Sequence, residues 1–321
     1  MKNHDTAAAD GAPRVLMLGA GAMGSLFGGL LAEVGVPVTL VDINALHLDA
    51  IRRDGLRLVT DGGERRVRLN ACRPDEVQET PDLIVVFTKA MHTDAALGGI
   101  RRWIGPETRI LSLQNGLGNG ERICAHAAAD RVAIGMTTCP ADLCGPGHVE
   151  SHGQGKIRFT RLDGGQDDAL ERLAALLRRA GLDCAIDPMV NTAIWEKVAF
   201  NAALNSICAV TACAVDAIGR TPAAQALALD IVDEVLAVAR AEGLAVDADR
   251  VRASVLHAVG HHVGHKPSML QDVLAGRPTE IEAINGAVVA RAELRGIPTP
   301  ATRALLALVR LMEAGRNTPL A

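Results

Sequence analysis

The chain has 321 residues, enough for two domains that each bury a proper core. Its formal net charge is −4 with acids and bases well mixed, which excludes a broad basic surface for nucleic acid. Tyrosine is absent, so a catalytic tyrosine is excluded too. Residues 1–13 are polar and Ala-rich, lack the apolar centre of a signal peptide, and read as a flexible tail.

After the tail, Arg14-Val15-Leu16-Met17-Leu18 is a short apolar run that leads straight into Gly19-Ala20-Gly21-Ala22-Met23-Gly24 and a helical pattern to Val34. Gly35 closes that helix, and a second apolar run from Pro37 to Val41 ends at Asp42. Strand, glycine turn, helix, strand and acid in this order make a dinucleotide-binding unit of Rossmann type. Gly19 allows the tight turn, Gly21 lets the backbone approach a pyrophosphate, and Gly24 lets the helix pack close to the sheet. Ala22 and Met23 open the helix, whose free N–H groups and positive dipole end face the phosphates. A carboxylate at the position of Asp42 accepts from both adenine-ribose hydroxyls and repels a 2′-phosphate. Ile43 follows it, with no arginine to receive that phosphate, so NAD(H) is preferred to NADP(H).

The α/β alternation continues. Leu56–Val59 and Arg66–Leu69 flank Asp61-Gly62-Gly63, a hairpin signal that would make the sheet mixed. A buried strand from Asp82 to Thr88 ends in Lys89, and another from Arg109 to Leu113 ends in Gln114-Asn115-Gly116-Leu117-Gly118. Ligands in such sheets lie beyond the carboxyl ends of strands, so Lys89 and Asn115 point at the cofactor crevice. Each also has a plainer reading, as a solvated helix-start lysine and as ordinary Asn-Gly turn chemistry. Strands are expected at 132–136, 149–152, 156–160 and 183–186, and a helix from Asp167 to Ala180. The Asp187-Pro188 turn ends the first domain, placed at 14–188.

Residues 189–321 carry no strand signals and read as an all-α domain. Its first helix, Ile194 to Asn205, sets Lys197, Asn201 and Asn205 four apart on one narrow stripe. The other faces are mostly apolar, so the stripe either faces solvent or needs a polar partner. Further helices are expected at 222–242, 249–263, 279–294 and 301–313. Glu280 stands near the start of the 279–294 segment, where a carboxylate suits the helix dipole. His257, His261 and His265 would share a face if the 249–263 helix ran on, but no further ligand completes a metal set, and none is expected. No apolar run is long and pure enough to span a membrane. The seven cysteines are scattered, with no C-x-x-C pair, which suits reduced thiols and a cytoplasmic protein. The Ala-rich helical domain could pair with a copy of itself as a homodimer.

Five segments together resemble the ketopantoate reductase (2-dehydropantoate 2-reductase) family. They are Gly19–Gly24; Thr88-Lys89-Ala90; Gln114–Gly118; Trp195-Glu196-Lys197 with Asn201 and Asn205; and Ser268–Asp272 with Thr279-Glu280-Ile281 and Ile284-Asn285-Gly286. The resemblance implies an N-terminal Rossmann-type domain and a C-terminal helical domain. It implies that Lys197 is the general acid for a 2-oxo substrate and that Glu280 binds a substrate hydroxyl. Asn201, Asn205 and Ser268 would hold the carboxylate and hydroxyl of a small carboxylate substrate, and Lys89 and Asn115 would bridge cofactor and substrate.

The departures from the family pattern lie near the expected pocket. Ile43 replaces the usual arginine for the NADP phosphate. Ser206-Ile207-Cys208-Ala209 and Val215-Asp216-Ala217-Ile218 replace the usual sequences after Asn205, and His265-Lys266-Pro267 precedes Ser268. The default expectation is reduction of ketopantoate to pantoate. The alternatives are an NAD-dependent 2-hydroxy-acid dehydrogenase of D-mandelate type and a nucleotide-sensing protein that has lost the chemistry.

Overall fold

The computed structural model describes residues 12–315, so all but the last two residues of the expected tail lie outside the described residues. The chain divides into two units. One comprises the chain up to Gln114 with Asn119–Val190, and the other comprises Asn115–Gly118 with the chain from Asn191.

The first unit runs β1 (Val15–Leu18), α1 (Ala22–Glu33), β2 (Val38–Val41), α2 (Ala45–Asp54), β3 (Leu56–Thr60), β4 (Gly63–Val67), β5 (Asn70–Cys72) and β6 (Leu83–Val86). It continues with α3 (Thr93–Gly99), β7 (Arg109–Ser112), α4 (Asn119–Ile123), β8 (Val132–Thr137), β9 (Asp142–Gly145), β10 (His148–Ser151), β11 (Lys156–Arg161), α5 (Asp168–Arg179) and β12 (Asp183–Ile186). The main sheet has the order β12-β11-β8-β7-β6-β1-β2-β5. β1 and β6 at its centre are buried at every position, as parallel strands covered on both faces must be. Close approach of α1 to this sheet depends on missing side chains. A Cβ on Gly28 would meet Leu40 at 2.6 Å, and one on Gly24 would lie 1.8 Å from the Gly19 carbonyl oxygen.

The hairpin at Asp61-Gly62-Gly63 forms, with Leu56 opposite Val67 and Thr60 opposite Gly63. The expectation that it makes the main sheet mixed is corrected, because it belongs to a second sheet of order β4-β3-β10-β9. The three-residue β5 takes the place beside β2, while Leu56 and Leu58 of the hairpin are fully buried, with their methyls against Gly29 of α1. The main sheet is mixed for another reason, the antiparallel pairing of β8 with β11.

The second unit is helical: α6 (Val190–Thr211), α7 (Val215–Gly219), α8 (Pro222–Ala241), α9 (Ala248–His261), α10 (Ser268–Leu274), α11 (Ala287–Arg295) and α12 (Pro300–Gly315). α6 has no Gly or Pro over 22 residues, and its Val198, Ala199, Ala202 and Ala203 pack with Val235 of α8, Val255 of α9 and Val288 of α11 in one core. Glu234 of α8 accepts the Ala301 and Thr302 N–H groups at 2.9 and 2.8 Å, which caps the start of α12. The helix expected over 279–294 is also corrected. Glu282–Gly286 is a turn of π-helix closed by the Gly286 N–H on the Ile281 carbonyl at 2.9 Å, and α11 begins only after it. Among the described residues no helix is long and apolar enough to cross a membrane.

Gly24→Ala forces the new methyl group into the Gly19 carbonyl, so α1 must lift from the turn. The expected cost is about 1–3 kcal/mol, seen as a melting temperature lowered by several degrees. An unchanged melt would show that the turn yields without strain.

Candidate active site

In the first unit the glycine turn is held by hydrogen bonds at each step. Gly19 takes φ +99° and donates its N–H to the Val41 carbonyl at 2.8 Å, which ties the turn to the end of β2. Asp42 follows β2. One of its oxygens accepts the Ala20 N–H at 2.7 Å, and the other accepts the N–H groups of Ile43 at 2.8 Å and Asn44 at 2.9 Å. These three donors fix the carboxylate beside the turn without exhausting its acceptor capacity. Ile43, which follows it, is 75% exposed, and Asp42 itself is half-buried. Gly21 is the N-cap of α1 and leaves open space where a Cβ would stand, while Ala22 and Met23 are half-buried in the first turn.

Lys89 follows β6 and is half-buried. Its neighbour Thr88 is held by Gln114, a residue with no role in the sequence reading. The Gln114 amide donates to the Thr88 carbonyl at 2.6 Å and the Thr93 hydroxyl at 2.8 Å, and its oxygen accepts from Ser112 at 2.9 Å. A buried Gln at the end of an apolar strand is the signal that would have singled it out.

The second unit assembles the rest. Lys197, Asn201 and Asn205 all lie within α6, so each step of four carries the line about 6 Å along the helix axis. Lys197 and Asn201 are half-buried and Asn205 is 3% exposed, so the stripe does not lie open to solvent along its length. The Asn205 amide donates to the hydroxyl of Ser268, the first residue of α10, at 3.5 Å. Asn115 belongs to this unit too: its amide donates to Glu280 at 3.4 Å, and the Leu117 N–H donates to the Ala283 carbonyl at 2.8 Å. Gly116 makes this approach possible. It has φ +86°, and a Cβ there would lie 2.4 Å from the Ala283 carbonyl oxygen. Glu280 is half-buried, and its carbonyl receives the Ala283 and Ile284 N–H groups as the π-turn begins. That turn directs Asn285, fully buried, to donate to the Ala202 carbonyl of α6 at 3.3 Å. Asn285 is another residue left without a role in the sequence, though an Asn before Gly inside a helical run is the clue.

Two of the departing segments meet. Asp216 of α7 accepts the Gly264 N–H at 2.9 Å, and Val215 donates to the His265 carbonyl at 3.0 Å. The residues of α7 therefore hold the turn that leads into Ser268. The histidine patch does not share one helix face. α9 ends at His261, where His257 and His261 stack at 4.3 Å, while His265 lies beyond the helix with its ring 5.9 Å from that of His262. The described residues whose potential ligand atoms do converge are Cys144, His148 and Glu150, within 4.8 Å of one another on β9 and β10. Burial and the nearby Glu150 and Asp142 push the Cys144 thiol up.

A carboxylate-flanked glycine turn on a mostly parallel sheet, joined to a helical unit that lines an ammonium up with amides, defines a dinucleotide-dependent oxidoreductase. Comparison with known proteins gives the particular kind. The family described as "Ketopantoate reductase PanE/ApbA" matches residues 15–164, and its C-terminal counterpart matches 189–313. A 2-dehydropantoate 2-reductase of Streptococcus pyogenes serotype M6 is 34% identical over 304 residues, covering 94% of this chain and 99% of that protein. A solved D-mandelate dehydrogenase in ternary complex with NADH and anilino(oxo)acetate superposes with a TM-score of 0.90 at 33% identity, covering 95% of this chain and 100% of that one. A PanE/ApbA family ketopantoate reductase from Ralstonia eutropha gives 0.87 at 32%, covering 95% and 99%. The chain belongs to the ketopantoate reductase family and is an NAD(P)-dependent 2-oxo-acid oxidoreductase.

Gly116→Ala places a methyl group against the Ala283 backbone at a φ that L-residues avoid. The loop should withdraw from the π-turn and carry Asn115 off Glu280. The expected result is a KM for the oxo acid raised about tenfold; an unaltered KM would separate Asn115 from substrate binding.

Proposed function

We propose that the protein uses NADH to reduce the 2-oxo group of a small oxo acid, with ketopantoate as the default substrate, which would place it in pantothenate biosynthesis. The observation that carries this reading is the polar line of α6, which puts one ammonium and two amides on a helix whose other faces are core. Such a line, half-buried at Lys197 and Asn201 and buried at Asn205, suits a polar ligand, and a carboxylate-bearing substrate is one. Hydride from the nicotinamide adds to the carbonyl carbon, and negative charge develops on the oxygen. The Lys197 ammonium stabilises that charge and gives up a proton, leaving a 2-hydroxy acid and the oxidised cofactor. Glu280 accepts a hydrogen bond from a substrate hydroxyl while Asn115 orients its carboxylate. Asn201, Asn205 and Ser268 hold the substrate's carboxylate and hydroxyl, and Lys89 and Asn115 contact both cofactor and substrate.

For the cofactor, Gly19, Gly21, Ala22, Met23 and Gly24 provide the pyrophosphate cradle, and Asp42 takes the adenine ribose. A 2′-phosphate set against Asp42 would add anion to anion, with Ile43 offering no counter-charge. NADH is thus the cofactor of choice.

A second reading, oxidation of a 2-hydroxy acid in the manner of D-mandelate dehydrogenase, is favoured by the linked departures around Asp216 and His265. These hold the approach to Ser268, while Lys197 and Glu280 are the residues expected from the family resemblance.

The test follows NADH and NADPH oxidation over branched, hydroxylated and aromatic 2-oxo acids. Ketopantoate is expected to give the highest kcat/KM; an aromatic acid that wins by tenfold or more would replace it. NADH should be preferred, and Asp42→Ser should shift the preference towards NADPH by about tenfold or more, one to two kcal/mol. A wild-type preference for NADPH would overturn the Asp42 argument.

A further inference from the structure

A trans peptide points its carbonyl and its N–H in opposite directions, so fixing one fixes the other. In the glycine turn two successive peptide planes are fixed by side chains. The first joins Gly19 to Ala20, and its N–H is taken by Asp42 at 2.7 Å. The second joins Ala20 to Gly21. Its carbonyl, on Ala20, accepts the Ser25 hydroxyl at 2.8 Å. The N–H of this second plane belongs to Gly21, so it is turned away from buried Ser25.

Ser25 is itself held. It is fully buried, and its oxygen lies 3.1 Å from Nε2 of His47, which is 1% exposed on α2. The other ring nitrogen settles the protonation. Nδ1 of His47 lies 2.9 Å from the backbone N–H of Gly147, in the turn between β9 and β10, and that N–H can only donate. Nδ1 is therefore the acceptor and carries no proton. The ring is neutral, its proton sits on Nε2, and that proton goes to Ser25. Burial favours the same neutral form by lowering the imidazole pKa. The chain of donors runs from Gly147 through His47 and Ser25 to Ala20, with each proton in a defined place.

We propose that His47 is a positioning residue for dinucleotide binding: through Ser25 it fixes the Ala20–Gly21 peptide so that the Gly21 N–H is presented to the cofactor pyrophosphate. The inference rests on the reading that this turn binds NADH. His47 is 1% exposed and acts through Ser25, on the peptide that follows the one Asp42 holds.

The test separates the two arms of the ring. His47→Gln places an amide nitrogen where Nε2 stands and keeps the arm to Ser25. His47→Asn places an amide oxygen near Nδ1 and keeps the arm to Gly147. Ser25→Ala removes the link to Ala20 at little change in volume. NADH affinity is measured by cofactor fluorescence, with thermal melts and with KM for NADH set against kcat. His47→Asn and Ser25→Ala should raise the dissociation constant and KM for NADH about three- to tenfold, the effect of one hydrogen bond, with kcat little changed. Combining them should cost no more than either alone, because both break the same chain. His47→Gln should hold wild-type affinity although its melt falls like that of His47→Asn. Equal loss of affinity in the Gln and Asn variants, or none in Ser25→Ala, would reduce His47 to a core residue. Failure of the wild type to bind NADH would instead overturn the reading of the turn.

Discussion

An amide or ammonium withdrawn from water must find a polar partner, and α6 carries three such groups on one line, two half-buried and one buried. Much of the helical unit can be understood from that constraint. Around the line the helix is Ala-rich and packs closely on α8, α9 and α11, so it is rigid and cannot turn its polar groups outward. Ser268 reaches Asn205 from the start of α10, and Asn285 reaches the Ala202 carbonyl from the π-turn. The same turn starts from the Glu280 carbonyl and receives the 115–118 segment through Ala283. Polar groups from four parts of the chain are thereby gathered on rigid elements, as a site for an anionic substrate needs.

The sheet unit follows a related rule with backbone in place of side chains. Its glycine turn exposes peptide groups, and peptide groups are useful only when their orientation is fixed. Asp42 and Ser25 each hold one plane, and the absence of a Cβ at Gly24 lets α1 start close against Gly19. Asp42 therefore has a structural task within the chain as well as the part in cofactor choice proposed for it.

How much of this was legible in the sequence depends on whether the determinant is local. The run from β1 through the glycine turn to Asp42 was legible because strand, turn and helix periods meet within thirty residues or so. The line on α6 was legible because spacing by four survives any detail of packing. β5, β9, α7 and α10 were missed because segments of three to seven residues are too short to show a period. The sheet to which the Asp61-Gly62-Gly63 hairpin belongs was misread because it is decided by Leu56 and Leu58 packing on α1, a contact invisible to local pattern. The π-turn and the attachment of Asn115 to Glu280 were hidden for the same reason: both depend on Ala283 and Gly116 meeting from distant parts of the chain. Roles for Lys197 and Glu280 came from family resemblance, since spacing alone left one as part of a stripe and the other as a helix-start acid.

The central claim is that the α6 line exists to meet a 2-oxo acid, with Lys197 as its proton donor. The most direct test is single-turnover oxidation of enzyme-bound NADH by the preferred 2-oxo acid, followed at 340 nm by stopped flow in wild type and Lys197→Ala. The account predicts a hydride-transfer rate about 10²- to 10⁴-fold lower in the variant, with NADH binding unchanged. A variant that turns over at the wild-type rate would contradict it.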